Sequence, residues 1–69
     1  MLYKKKNYEA CINDCTTGIG LNPEYGEAYL NRGIAKEMMK DFKGSCEDFT
    51  KAATLGIDVA KKYKAVVCE

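Results

Sequence analysis

Four cysteines are the residues best equipped for chemistry in this chain: Cys11, Cys15, Cys46 and Cys68. A spacing of four puts Cys11 and Cys15 one turn apart on a helix, where two thiolates could begin a metal site. Cys46 is a full helix away, and no Cys-x-x-Cys pair is present. The pattern fits four reduced thiols acting as small apolar residues better than a disulfide or a metal site, with Cys68 the expected free, exposed thiol. Histidine is absent. Without it there is no Ser-His-Asp or Cys-His pair, and a zinc site loses its commonest nitrogen ligand. The expectation is a protein that is not an enzyme, with no catalytic residues, no metal ligands and no cofactor.

Composition narrows the rest. Among 69 residues, 11 Lys and Arg face 10 Asp and Glu, a formal charge of +1 with the two signs interspersed. Such a chain carries no field to steer nucleic acid or an anionic membrane. A hydrophobic fraction of 46% argues for a folded chain, but Leu, Ile, Val and Phe together number only 13. The aliphatic core is therefore thin, and a small scaffold of this kind needs staples, association or well-fitted helices. The basic run Lys4, Lys5, Lys6 is followed by Asn7, Tyr8 and Glu9 rather than an apolar stretch, so no secretory signal is legible. No segment approaches the roughly 18 apolar residues of a membrane span. A cytoplasmic location is expected if Met1 is the native start; for a fragment the location stays open.

The elements that must position these residues are helices. Pro23, in Leu21-Asn22-Pro23-Glu24, separates two of them, because the residue before Pro avoids the helical region while Pro suits a first turn. Asp41 and Asn7 are candidate N-caps, and Gly56 is a candidate helix stop. The spacing predicts five helical pieces, at about 1–5, 8–20, 24–39, 42–55 and 58–68, with no sustained strand alternation.

These breaks recur at an offset of 34. Lys6/Lys40, Asp14/Asp48, Thr16/Thr50, Leu21/Leu55 and Tyr29/Tyr63 are identical pairs, and Asn7/Asp41, Tyr8/Phe42, Cys11/Ser45 and Gly18/Ala52 are similar ones. Tyr29, Gly33, Ser45, Phe49 and Ala52, with Pro23 ahead of them, fall on the aromatic, small and Pro positions of a two-helix period of that length. The chain thus resembles the tetratricopeptide repeat family. The run around Lys51, Ala52, Ala53, Gly56 and Ala60 is also similar to the ending of a sibling family of slightly longer helical hairpins. Arg32 and Lys36 depart from the pattern where apolar residues are usual, Cys15 stands for an aromatic, and Ile57 for the second Pro.

The resemblance implies an all-α fold, antiparallel helical hairpins stacked as a short right-handed solenoid, forming a single domain over 1–69. Residues 1–25 form a partial first repeat, 26–59 a full repeat, and 60–69 a partial third repeat or capping helix. Gly33, Ser45 and Ala52 are then the close-contact positions between paired helices, with Phe49 and Tyr29 beside them. Gly20, where a charge is usual, is a place for local fraying. Arg32 needs a partner or a route to solvent. Asp14 and Asp48, on the flanking helices, are the two candidates for an ion pair.

The implied function is a non-catalytic interaction module that binds a peptide or partner protein along the concave face of its first helices. That face would carry Glu27, Leu30, Asn31, Ile34, Glu37 and Met38, with Lys61 and Lys64 added by the third copy. Leu30, Ile34 and Met38 follow each other at intervals of four, an apolar stripe that is either core or recognition surface. One branch of the family grips a terminal carboxylate with an Asn and neighbouring basic residues; Asn31 and Lys61 match, but Ala65 stands where the second basic residue belongs. Two rivals remain. The chain could be a structural fragment of a longer solenoid, or a homo-oligomer that covers the first copy's exposed N-terminal face; a cysteine-based metal or redox protein is the third.

Overall fold

The computed structural model describes residues 5–68, with side chains from residue 7. Four helices follow one another: α1 (Lys5–Leu21), α2 (Gly26–Met38), α3 (Phe42–Thr54) and α4 (Asp58–Val67). Each packs on its neighbour in chain order, α1 on α2, α2 on α3 and α3 on α4. No strand occurs among the described residues. The architecture is all-α, helical hairpins stacked in sequence as a tetratricopeptide-like solenoid.

The helix breaks have local causes. Asn22 Oδ1 accepts from the Glu24 N–H at 3.1 Å, closing a turn through Pro23, and α2 starts after Tyr25. Between α2 and α3, Lys40 takes the left-handed conformation (φ 66°), and Asp41 then caps α3 by accepting from the Gly44 N–H. The Lys40 and Asp41 amides donate back to the carbonyls of Glu37 and Lys36 at 2.9 and 2.8 Å, the paired bonds of a Schellman ending. The same motif ends α3: Gly56 (φ 95°) and Ile57 donate to Ala53 and Ala52, both at 3.0 Å. Here glycine meets the left-handed requirement without a Cβ penalty.

One expectation about α1 needs correction. No break occurs at Asn7; the helix runs unbroken from Lys5, and the rest of the expected 1–5 piece lies outside the described residues. Lys6-Asn7 copies Lys40-Asp41 in type, but the left-handed residue costs about 1–2 kcal/mol. Lys, Tyr, Glu and Ala continue a helix readily unless tertiary packing forces the turn. At its other end α1 runs to Leu21, and the Asn22 amide donates to Gly18 O at 2.9 Å.

The core sits at the α2–α3 seam and is small. Ala28, Ala35, Phe49, Ala52 and Ala60 are its buried apolar residues, joined by Ser45 and Asp48. Gly33 is essential to it: a Cβ there would lie 2.7 Å from Phe49 Cε1. The helices approach until Ser45 Oγ donates to Gly33 O at 2.8 Å, so a buried hydroxyl ties α3 to the backbone of α2. Phe49, fully buried, stacks its other face on Tyr63 of α4, with ring centroids 5.1 Å apart. Small residues at 33, 45 and 52 thus do what their positions predict.

Candidate functional site

The most polar part of the interior is built on Arg32. Its Nε donates to Asp48 Oδ2 at 2.9 Å and its Nη2 to Oδ1 at 2.8 Å, a bidentate pair. Lys36 Nζ approaches the same carboxylate at 3.2 Å, and Arg32 Nη1 reaches Thr16 Oγ1 on α1 at 3.2 Å. The guanidinium carbon lies 5.4 Å from the Tyr29 ring centroid. Of the two candidate acids, Asp48 is the one engaged. The hydrogen bonds that Arg32 donates to Asp48, with burial opposing them, hold its guanidinium above its already high ordinary range. Asp48 is only 3% exposed, so two cations and good geometry offset the cost of removing its charge from water. The two charged departures from the repeat pattern, Arg32 and Lys36, are both explained by this one buried acid. The cluster joins α1, α2 and α3 and holds charges that already have partners, so it is a structural joint.

The cysteines divide into two pairs. Cys46 and Cys68 form a disulfide, Cα atoms 5.2 Å apart, which corrects the expectation that Cys68 is a free thiol. The reason is tertiary: α4 folds back along α3 and brings its last turn to Cys46, a proximity that a separation of 22 does not reveal. Cys11 and Cys15 remain thiols, with Sγ atoms 3.9 Å apart. Burial, with Cys11 beside it, pushes the Cys15 thiol up to about 11. Cys15 is therefore protonated at neutral pH and a poor nucleophile or metal ligand. Among the described residues, no three His, Cys, Asp or Glu side chains cluster so as to hold a metal ion. No helix there is long and apolar enough to cross a membrane.

What remains for binding is surface. A mostly apolar cleft of about 270 Å³ opens between α1 and α2, lined by Asn7 and Cys11 on one side and Asn31, Ile34, Ala35 and Met38 on the other. Met38 is 53% exposed, while Ile34 and Leu30 are half-buried, so the stripe at intervals of four emerges from the core toward its end. Glu27 is exposed and Glu37 half-buried. Lys61 and Lys64 are exposed and line a different concavity of about 460 Å³ between α3 and α4, with Thr50, Ala53, Thr54 and Ala65. Of the eight candidate residues, Asn31, Ile34 and Met38 line the first cleft and Lys61 and Lys64 the second, while Glu27, Leu30 and Glu37 line neither, so Asn31 and Lys61 do not share a cleft. The contribution of α1, through Asn7 and Cys11, was not expected from sequence; the match of Cys11 to the helix-facing Ser45 is the signal that points to it.

The chain is similar to segments of several known proteins. The chain is 36% identical over 56 residues to RNA polymerase II-associated protein 3 of Xenopus tropicalis, covering 81% of this chain and 8% of that protein. It is 34% identical over 44 residues to a DnaJ homolog subfamily C member 7 homolog of Dictyostelium discoideum, 64% of this chain and 8% of that one. A third relative, Hsc70-interacting protein 1 of Drosophila melanogaster, is 34% identical over 55 residues, covering 80% of this chain and 15% of the relative. The chain therefore spans a small part of the length of each relative. No family model matches the chain. No solved structure matches it.

Proposed function

We propose that this chain is a tetratricopeptide-repeat segment acting as a non-catalytic protein–protein interaction module. The observation that carries the reading is the open apolar cleft between α1 and α2, where Ile34, Met38 and Cys11 line a surface wide enough for the side chains of a partner segment. The 34-residue period, the helical hairpins and the named relatives support it, one of those relatives being called an Hsc70-interacting protein. The binding set on α2 is Glu27, Leu30, Asn31, Ile34, Glu37 and Met38, with apolar contacts from Ile34 and Met38 and polar ones from Asn31 and Glu37. Lys61 and Lys64 form a separate basic rim over α3.

The test is selection of peptides from a random display library against the intact chain, followed by amide shift mapping with a selected peptide. Shifts should cluster on α1 and α2 around Ile34, and Ile34→Glu or Met38→Glu should weaken binding at least about tenfold. Selected peptides that shift only α3 and α4, or that bind both variants unchanged, would remove the α1–α2 cleft as the binding surface.

A further inference from the structure

The cleft between α3 and α4 differs in kind from the apolar one between α1 and α2. Thr50 and Thr54 stand on its α3 wall, and Lys61, Lys64 and Cys68 on its α4 wall. Its volume of about 460 Å³ falls within the roughly 300–1,000 Å³ of small-molecule sites. Among the described residues that line it, two are cations and none is an acid. Lys61 has Asp58 3.8 Å away, but both side chains are well exposed, so an incoming anion displaces this pair at little cost. Thr50 and Thr54 donate their hydroxyl protons to the carbonyls of Cys46 and Thr50, at 2.8 and 2.9 Å, which leaves their oxygens as acceptors. One wall thus suits carboxylates, and the other suits N–H groups.

Cys68 is also half of the bridge to Cys46, so a disulfide borders a cationic cleft. Both cysteines are half-buried, but only Cys68 lines the cleft. A disulfide is opened by a thiolate, and the outcome depends on which sulfur that thiolate can reach. The chain's own thiols are poorly placed for this: Cys15 keeps its proton, and it shares with Cys11 a helix that packs on α2. The attacking thiolate comes from outside, through the cleft, and meets Cys68.

We propose that this cleft receives a small anionic thiol peptide of the glutathione type, which attacks Cys68 and remains there as a mixed disulfide. The incoming thiol gives its proton to water, and its sulfur bonds to Cys68 Sγ as the bond from Cys68 to Cys46 breaks. The electron pair of the broken bond leaves on Cys46 Sγ, which takes a proton from water and becomes a thiol. One disulfide replaces another, so no oxidant or reductant is consumed. The carboxylates of the peptide lie against Lys61 and Lys64, and its N–H groups against the oxygens of Thr50 and Thr54. The two cations also raise the local concentration of an anionic thiol over a neutral one. Phe49 stacked on Tyr63 at 5.1 Å, with Ala60 buried, holds α4 in place without the bridge, so the cleft outlasts the exchange. The modification is independent of peptide binding between α1 and α2.

The test is a time course of the oxidised chain with reduced glutathione, quenched in acid and followed by intact mass and peptide mapping. One glutathione per chain should appear on Cys68, with Cys46 joining Cys11 and Cys15 as a free thiol. Neutral mercaptoethanol, corrected for its reactivity toward a small-molecule disulfide, should open the bridge at least about tenfold more slowly. Lys61→Ala with Lys64→Ala should remove that preference and leave the mercaptoethanol rate unchanged, and added salt should erode it in the same way. Cys46→Ser lacks the thiol that can reverse the reaction, and there glutathione disulfide should place the same adduct on Cys68 by exchange. Circular dichroism on each variant separates loss of reaction from loss of fold. An adduct on Cys46, an adduct on Cys11 or Cys15 ahead of Cys68, no adduct in either protein, or a thiol preference indifferent to the two lysines overturns the proposal.

Discussion

Arg32 grips Asp48 through two parallel hydrogen bonds of 2.9 and 2.8 Å, and the same carboxylate receives Lys36 at 3.2 Å. A carboxylate this deeply placed is stable as a charge only while its donors stay in position. The pair also orients Arg32 so that its remaining nitrogen reaches Thr16, which makes one acid on α3 a support for the packing of α1.

Removing Arg32 should therefore cost stability. Arg32→Met leaves Asp48 with Lys36 alone and should destabilise the fold by about 1–3 kcal/mol, the range for hydrogen bonds to charged groups. Thermal and urea unfolding of Arg32→Met, Asp48→Ala and the double variant would measure the coupling. An unchanged or raised melting temperature for Arg32→Met would mean the pair contributes no stability.

Two glycines should respond in opposite directions to the same change. Gly33→Ala places a methyl 2.7 Å from Phe49 Cε1 and should destabilise by about 1–3 kcal/mol, more than the roughly 1 kcal/mol of helix propensity it gains. A methyl at Gly20 meets nothing within 4 Å, so Gly20→Ala should stabilise by up to about 1 kcal/mol. Parallel denaturant titrations check both, and equal effects would contradict the close approach of α2 and α3.

Thiol titration distinguishes the two cysteine pairs. Unfolded but unreduced protein should show two reactive thiols, Cys11 and Cys15, and reduced protein four. A cross-link over a span of 22 residues restricts the unfolded chain, so Cys46→Ser with Cys68→Ser should lower stability by about 3 kcal/mol. Four thiols before reduction would rule out the bridge.

Cys15 should carry a pH signature. Its thiol titrates at about 11 in the folded chain against an ordinary 9.0, so the unfolded chain releases this proton first. The stability from this group is complete below pH 9 and is lost as pH rises through 11. Iodoacetamide should alkylate Cys15 in the folded chain at a rate still climbing past pH 10, while the same cysteine in urea levels off earlier. Identical profiles would show that burial does not hold the proton.

Much of this was legible from residue types at fixed distances. Asp41 announces its cap, Gly56 its left-handed stop, and Gly33, Ser45 and Phe49 their mutual contact, because each role depends on local backbone geometry or on one facing helix. Arg32 announced its need for an acid, but not whether Asp14 or Asp48 would serve; only the packing of α3 against α2 brings one of them within reach. The disulfide was missed for the same reason, since Cys46 and Cys68 meet only after α4 folds along α3. Asn7 misled because a cap residue sets where a helix can begin, not whether one must. The candidate groove follows from the family resemblance, and the spacing of four places Ile34 and Met38 on one face, but neither says that the far wall of their cleft belongs to α1.

The bridge from Cys46 to Cys68 also governs how the molecule bears force. Tension applied to the chain beyond Cys68 passes through the two sulfurs to the middle of α3 and never stretches the backbone in between. Most of α3 and all of α4 are thus bypassed by the load, which falls instead on the contacts of Ser45 with Gly33 and of Arg32 with Asp48. Under oxidising conditions the chain should extend only by the stretch ahead of Cys46 and stop, and a reductant should release the remaining segment as a second, separate lengthening.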